Sequence, residues 1–381
     1  MTIDGPKAVA PEEFRSAMEL VDATFRPGQP GGMEKHFPLM LCRENAGHLR
    51  VFTDDGRVVA FVGMFVRDVR LGGSLHRTCC IGAVCTDPQY RGRGLGTRLM
   101  DDAVTTALAD RVDLFLISGT RGLYTRLGYV CVGAYPVYSI EAARLPADGP
   151  YVLRPWQPED LPALVGLHAA EPVRFVRTPS DFLALLRCGL VCDAPGDTEL
   201  VCRRSTGRPV AYLSYQVGGR HKAADALTAV EMAGSRWAVA HGLRLLLTKR
   251  NAAGLHLRAM GSDCEAAELA HAFGWPSELR GFRGTVGIAD PARFWSACAA
   301  DFAERLGQER AGRLRLDTEG GLCVRYGAES LPLGGMTGLT ELVFQARDRR
   351  ADLPLAPESE LRGVLDELFP LPLVDYGLNF I

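Results

Sequence analysis

Arg91-Gly92-Arg93-Gly94-Leu95-Gly96-Thr97 is the segment whose residue types and spacing point most directly to chemistry. Three glycines interleave with two arginines and open into Leu95 to Leu108, where apolar residues recur at helical spacing. Glycine lets the backbone approach a ligand, and the first turn of a helix leaves several N–H groups without intrahelical partners. A strand feeding such a loop therefore aims a set of amides and a helix dipole at an anion. Each charge-assisted hydrogen bond contributes roughly 1.5–3 kcal/mol, so a few of them anchor a nucleotide-like cofactor. The segment is not a Walker loop, because no Gly-Lys-Ser or Gly-Lys-Thr follows, and it lacks the spacing of the dinucleotide fingerprint. The competing reading is a plain glycine turn on a basic surface.

The flanking sequence supplies the elements that must hold this loop. Pro11 to Phe25 reads as an amphipathic helix, and His48–Thr53 and Arg57–Val69 as strands joined at Asp54-Asp55-Gly56, a hairpin turn by its glycine. Gly72-Gly73 turns the chain into a third strand, Arg77 to Cys85, which runs straight to the loop. Val112–Ile117 reads as a buried strand, and Gly128–Ser139 as the strand that closes the unit. Turn formers at Leu145–Pro150 mark a linker. Beyond the linker the chain carries a worn copy of the first unit: Leu123–Tyr129 can be laid on Leu269–Trp275 at an offset of 146 residues. Trp237–Leu243, the stretch corresponding to the glycine loop, has one glycine and no cradle. After Ile288 come a helix (291–306), short strands near 314–317 and 322–326, and two further helical stretches. The division expected is residues 1–145, 150–287 and 288–381.

Length and composition fit this plan. A chain of 381 residues exceeds what one core organises, and 47% hydrophobic with 23% charged residues is ordinary for a globular protein. A net charge of −2 gives no global reason to expect nucleic acid or an anionic membrane as partner. No secretory signal and no apolar run long enough to span a bilayer are seen. The 11 cysteines are odd in number and lack paired Cys-x-x-Cys motifs, so a reduced, cytoplasmic protein without a metal is expected. Cys79, Cys80, Cys85 and Cys131, in apolar segments, read as small buried hydrophobes.

At Arg91, Gly94 and Gly96 the sequence resembles the GNAT superfamily of N-acetyltransferases, whose pattern is Arg/Gln-x-x-Gly-x-Gly/Ala at the start of a helix after a long strand. Tyr124-Thr125-Arg126-Leu127-Gly128-Tyr129 resembles that family's Tyr-x-x-x-Gly-Phe/Tyr signature. The resemblance implies acetyl-coenzyme A as cosubstrate. Arg91, Gly92, Arg93, Gly94, Leu95, Gly96 and Thr97 would hold its pyrophosphate, and Val84 and Cys85 its pantetheine arm. Tyr124 would be the general acid, since a phenol with a reference pKa near 10 stays protonated at neutral pH and can protonate a departing thiolate. A structural buried tyrosine is the alternative. The copy has Ala270 at the matching position and should be inactive.

The whole-chain plan is similar to the enhanced intracellular survival family. This implies an α/β (α+β) fold class: tandem GNAT folds with mixed, mostly antiparallel sheets flanked by helices, and a C-terminal domain like sterol carrier protein. It also implies a homo-oligomer, commonly a hexamer. A lysine-like amine is neutral in only about one part in 2500 at pH 7, equivalent to about 4.6 kcal/mol, so a base would matter. Residues 77–85 and 114–118 contain no carboxylate. By the resemblance the base is the α-carboxylate of Ile381 with Phe380 packed beside it; a tail merely docked on the third domain, or His76 as base, are the alternatives. The acceptor would be a primary amine: an aminoglycoside, a polyamine, a small amine or a lysine side chain. Glu34, Glu44 and Asp54 could attract it or simply be solvated. The reading from another class is a non-catalytic acyl-coenzyme A sensor or lipid-binding protein.

Overall fold

The computed structural model describes residues 3–29, 31–147, 149–219, 222–346 and 353–380. The chain packs as two units, one made of Met1–Gly133 with Phe282–Leu373, the other of Ala134–Gly281 with Val374–Phe380.

In the first unit the strands lie in the order Ile3–Ala8, Leu49–Asp54, Arg57–Leu71, Ser74–Thr86, Leu114–Ser118, Gly284–Ile288. Pairing is antiparallel except between Ser74–Thr86 and Leu114–Ser118, which run parallel. Leu114 to Ile117 are buried without alternation, as a strand covered on both faces requires. The hairpin turn forms where expected: Asp55 and Gly56 take φ of 51° and 74°, the paired positive values of a type I′ turn. The helix Leu95–Ala109 covers this sheet through Leu95, Leu99, Met100, Ala103 and Ala107, a stripe at three- and four-residue spacing. Burying a side chain such as Leu99 stabilises the unit by roughly 1.5–3 kcal/mol, so the loop ahead of this helix rests on a firm base.

The same unit includes the helix Pro291–Leu306, whose Phe294 ring stacks on His76 at 4.3 Å. Asp301 on that helix accepts a hydrogen bond from the Gly73 N–H at 3.1 Å, in the turn between the two longest strands. A small antiparallel sheet of Leu314–Asp317, Cys323–Tyr326 and Glu329–Pro332 and the helices Met336–Phe344 and Glu360–Leu368 complete it.

The second sheet runs Ser277–Gly281, Ala134–Glu141, Gly254–Arg258, Lys222–Gly234, Pro209–Gly219, Ala194–Arg203, Tyr151–Pro155. Here the structure corrects one expectation. The strand expected over 128–139 forms as Ala134–Glu141, but it pairs with Gly254–Arg258 and Ser277–Gly281 in the second sheet rather than closing the first. Gly284–Ile288 takes that place, antiparallel to Leu114–Ser118. A Cβ on Gly284 would stand 2.1 Å from the Ile117 carbonyl oxygen, so this strand enters the first sheet on a glycine. Alternation of apolar residues identifies a strand but not the sheet it joins.

The internal copy is visible in the backbone. Tyr129 N–H donates to Tyr124 O at 3.1 Å, and Trp275 N–H to Ala270 O at 2.8 Å, the equivalent bond at the same offset. Gly128 and Gly274, one residue earlier in each, have φ of +88° and +65°.

Candidate active site

The strand Ser74–Thr86 is not regular where it approaches the loop. Gly63 of its antiparallel neighbour faces Gly82, yet Phe61 faces Cys85, so one extra residue is accommodated between 82 and 85. Ala83 absorbs it with φ of +53°, a left-handed conformation disfavoured for a residue with a Cβ. On the other side, parallel pairing with Leu114–Ser118 stops at Ile81 opposite Ile117. Beyond that point the strands part and the backbone of 82–86 borders an opening. A β-branched residue tolerates this conformation least, so Ala83→Val is expected to cost roughly 1–3 kcal/mol. Urea melts should show that loss, accompanied by weaker acetyl-coenzyme A binding because Val84 and Cys85 shift with the bulge.

The loop is fixed at both ends. The Asp87 carboxylate accepts from Gln89 N–H at 2.9 Å and closes the turn Pro88–Tyr90, and the Tyr90 hydroxyl donates to Asp54 at 2.7 Å. Gly92 and Gly94 come next, with φ of +76° and +72°. A Cβ on either would meet nothing within 4 Å. The backbone conformation and the space in front of it, rather than crowding by the protein, call for glycine here. Gly94 is the N-cap of Leu95–Ala109 and supplies no side-chain cap; Arg98 N–H is the first to reach back, to Gly94 O at 3.1 Å. The N–H groups of Leu95, Gly96 and Thr97 are therefore left for something outside the helix.

Bulge and loop enclose a cleft of about 620 Å³. Of the residues singled out from sequence, Val84, Cys85, Arg91, Gly92, Gly94, Leu95, Gly96 and Thr97 line it. Arg93 and Tyr124 do not; the Arg93 guanidinium lies over the Tyr90 ring at 4.9 Å and props the loop from outside. Sequence reasoning missed Thr24, Arg121 and Arg126, which come from other elements. Arg121 donates to the Val84 carbonyl at 3.1 Å, tying the Tyr124 helix, Gly122–Arg126, to the bulge. Among the described residues, Arg91, Arg121 and Arg126 are not paired with any carboxylate, so three guanidinium groups face the cleft with charge to spare. Unpartnered amides, a helix N-terminus and unneutralised arginines suit a polyphosphate.

Tyr124 is 2% exposed and belongs to the core under the loop helix. Burial raises its phenol pKa above the ordinary value, opposed less strongly by the Arg121 charge. Burial likewise pushes the Cys85 thiol up to about 12, which argues against a thiolate nucleophile there. Among the described residues the lining contains no Asp, Glu or His. His76 is ruled out as the base. It is fully buried, stacked on Phe294, with Nε2 2.8 Å from Ser74 Oγ and Nδ1 3.4 Å from Asp113, and all three side chains are sealed from solvent. It also lies some eight residues up the strand from Val84, roughly 25 Å at strand rise. Ile381 lies outside the described residues. Among those described, no cluster of three or more His, Cys, Asp or Glu is placed to hold a metal, and no helix is long and apolar enough to cross a membrane.

Residues 6–132, which contain bulge, loop and Tyr124, match the family model described as an acetyltransferase (GNAT) domain. This stretch of the chain is similar to GNAT acetyltransferase domains. Solved structures extend the likeness over the full length of the chain. A GCN5-related N-acetyltransferase from Anabaena variabilis aligns over 100% of both chains at 15% identity and a TM-score of 0.68. One from Kribbella flavida covers 98% of each at 17% and 0.66, and Eis1 from Mycobacterium abscessus covers 97% of each at 15% and 0.62. At such identities the likeness speaks to the tandem fold. A search of curated proteins finds no significant sequence relative of this chain.

Proposed function

We propose that the first unit binds acetyl-coenzyme A in this cleft and transfers its acetyl group to a primary amine. The observation that carries this reading is the uncapped helix N-terminus at Gly94 beside the bulged end of Ser74–Thr86. Amides of the 91–97 segment hold the pyrophosphate, Arg91 and Arg126 add charge, and the backbone at Val84 and Cys85 lies along the pantetheine arm. The amine nitrogen attacks the thioester carbon to give a tetrahedral intermediate. Its C–S bond then breaks, with the Tyr124 hydroxyl giving its proton to the departing thiolate. The α-carboxylate of Ile381 takes the proton from the amine, the described residues of the cleft lining including no carboxylate or imidazole that could do so.

Calorimetry tests the binding step. One acetyl-coenzyme A per chain is expected, because the second unit passes from Lys222–Gly234 into Arg236–Arg250 through the single capping residue Ser235, with no glycine loop. Gly94→Val should weaken binding ten- to a hundredfold, the loss of about one charge-assisted bond of roughly 1.5–3 kcal/mol. Unchanged affinity in a folded variant would move the cofactor elsewhere.

A further inference from the structure

The second unit repeats the bulge and the parting of strands that open the cleft in the first. Ser214 faces Glu231 while Tyr215 faces Ala229, so Val230 is the extra residue. Parallel pairing of Lys222–Gly234 with Gly254–Arg258 ends at Ala229 opposite Leu257. At the bulge itself only about 50 Å³ remains open, and Val374, Asp375 and Gly377 from the end of the chain line it; a further cleft of about 470 Å³ adjoins it at the N-terminus of Arg236–Arg250.

What holds that segment is a buried ion pair. Arg177, its side chain 2% exposed, donates through both terminal nitrogens to the Glu231 carboxylate at 2.7 and 2.8 Å. Each partner has one contact left for the tail: Arg177 Nε donates to Asn379 Oδ1 at 2.6 Å, and Glu231 Oε2 accepts from Leu378 N–H at 3.0 Å. The Tyr212 hydroxyl donates to Glu231 Oε1 at 2.7 Å. Burial alone would raise the Glu231 pKa, but the Arg177 charge and its hydrogen bonds outweigh it and hold the carboxyl at about 2, ionised at all ordinary pH. Gly377 fits this seat because it has no side chain. Its φ is +52°, and a Cβ would stand 2.1 Å from Glu231 Oε2.

Chain ends usually fray, and a buried ion pair is seldom the cheapest way to fill space, whereas it does define a register. We propose that the strand opening which serves as a cofactor cleft in the first unit has become, in the second, a receptor for the protein's own C-terminal segment. Arg177 and Glu231 are the positioning residues that seat Leu378 and Asn379. The consequence for turnover rests on the reading of the Ile381 carboxylate as base; the seat itself does not.

The test uses the full chain with Gly377→Ala, which keeps both ion-pair residues, and Glu231→Gln, each subjected to hydrogen exchange of the C-terminal peptide and to steady-state kinetics. In wild type the amides of residues 376–379 should exchange slowly, and in Gly377→Ala about a hundredfold faster, with the rest of the second unit unchanged. Turnover should fall at least about tenfold while KM for acetyl-coenzyme A stays put, a split that general loss of structure would not give. Wild-type protection of the peptide in both variants, or in Gly377→Ala alone if Glu231→Gln does not fold, overturns the seat. Faster exchange with unaltered turnover leaves the seat standing and removes the terminal carboxylate from the mechanism.

Discussion

Replacing Tyr124 by Phe should lower kcat by roughly 10²–10⁴-fold while leaving the affinity for acetyl-coenzyme A unchanged. The ring is core, 2% exposed, and phenylalanine keeps its packing, so stability should barely move. The hydroxyl is what is lost, and with it the proton for the departing thiolate. The direction of the pKa shift sets the pH dependence. Because burial raises the phenol above its ordinary value of 10, the acid form persists through the whole neutral range, and turnover should not decline on this account until above pH 10. In the Phe variant that alkaline decline should be absent. Stopped-flow thiol release across pH, with affinity measured separately, checks both statements. A variant with near-normal kcat would reduce Tyr124 to a core residue.

Deleting Phe380 and Ile381 should be the second large effect: intact cofactor binding and turnover reduced by roughly 10²–10⁴-fold, the span of general base catalysis. The deletion leaves Leu378 and Asn379, and so the bonds to Glu231 and Arg177, in place. Its deficit should shrink as pH rises. A primary amine of pKa near 10.4 is almost wholly protonated at neutrality and frees itself about tenfold per pH unit, so a missing base matters less at pH 9 than at pH 7. A deficit constant with pH would mean that the tail acts by packing and not by taking a proton.

Local backbone requirements were legible in the sequence. The glycine loop, the helix after it and the Asp55-Gly56 turn are local patterns whose backbone requirements can be read one residue at a time, and each forms where its sequence places it. The same holds for the copy of the 124–129 turn at 270–275. What escaped was non-local. Nothing in Ala134–Glu141 says which sheet it joins, and nothing in Gly284 says that its missing side chain makes room for the Ile117 carbonyl. Arg121 and Arg126 look like surface charges until the Gly122–Arg126 helix brings them to the cleft. The bulge at Ala83 was hidden because alanine is an unexpected residue for a left-handed conformation. Nothing local to Gly377 points to its partner, Glu231, which is on a strand far earlier in the chain.

The claim that the first unit's cleft is an acetyl-transfer site is tested most directly by thiol release from acetyl-coenzyme A against a panel of polyamines, aminoglycosides, lysine peptides and small amines, run on wild type and on Gly94→Val. Release matched one for one by acetylated amine in wild type, and lost in step with cofactor affinity in the variant, is the result expected. Binding of acetyl-coenzyme A with no amine acetylated would contradict it and leave a protein that senses acyl-coenzyme A without consuming it.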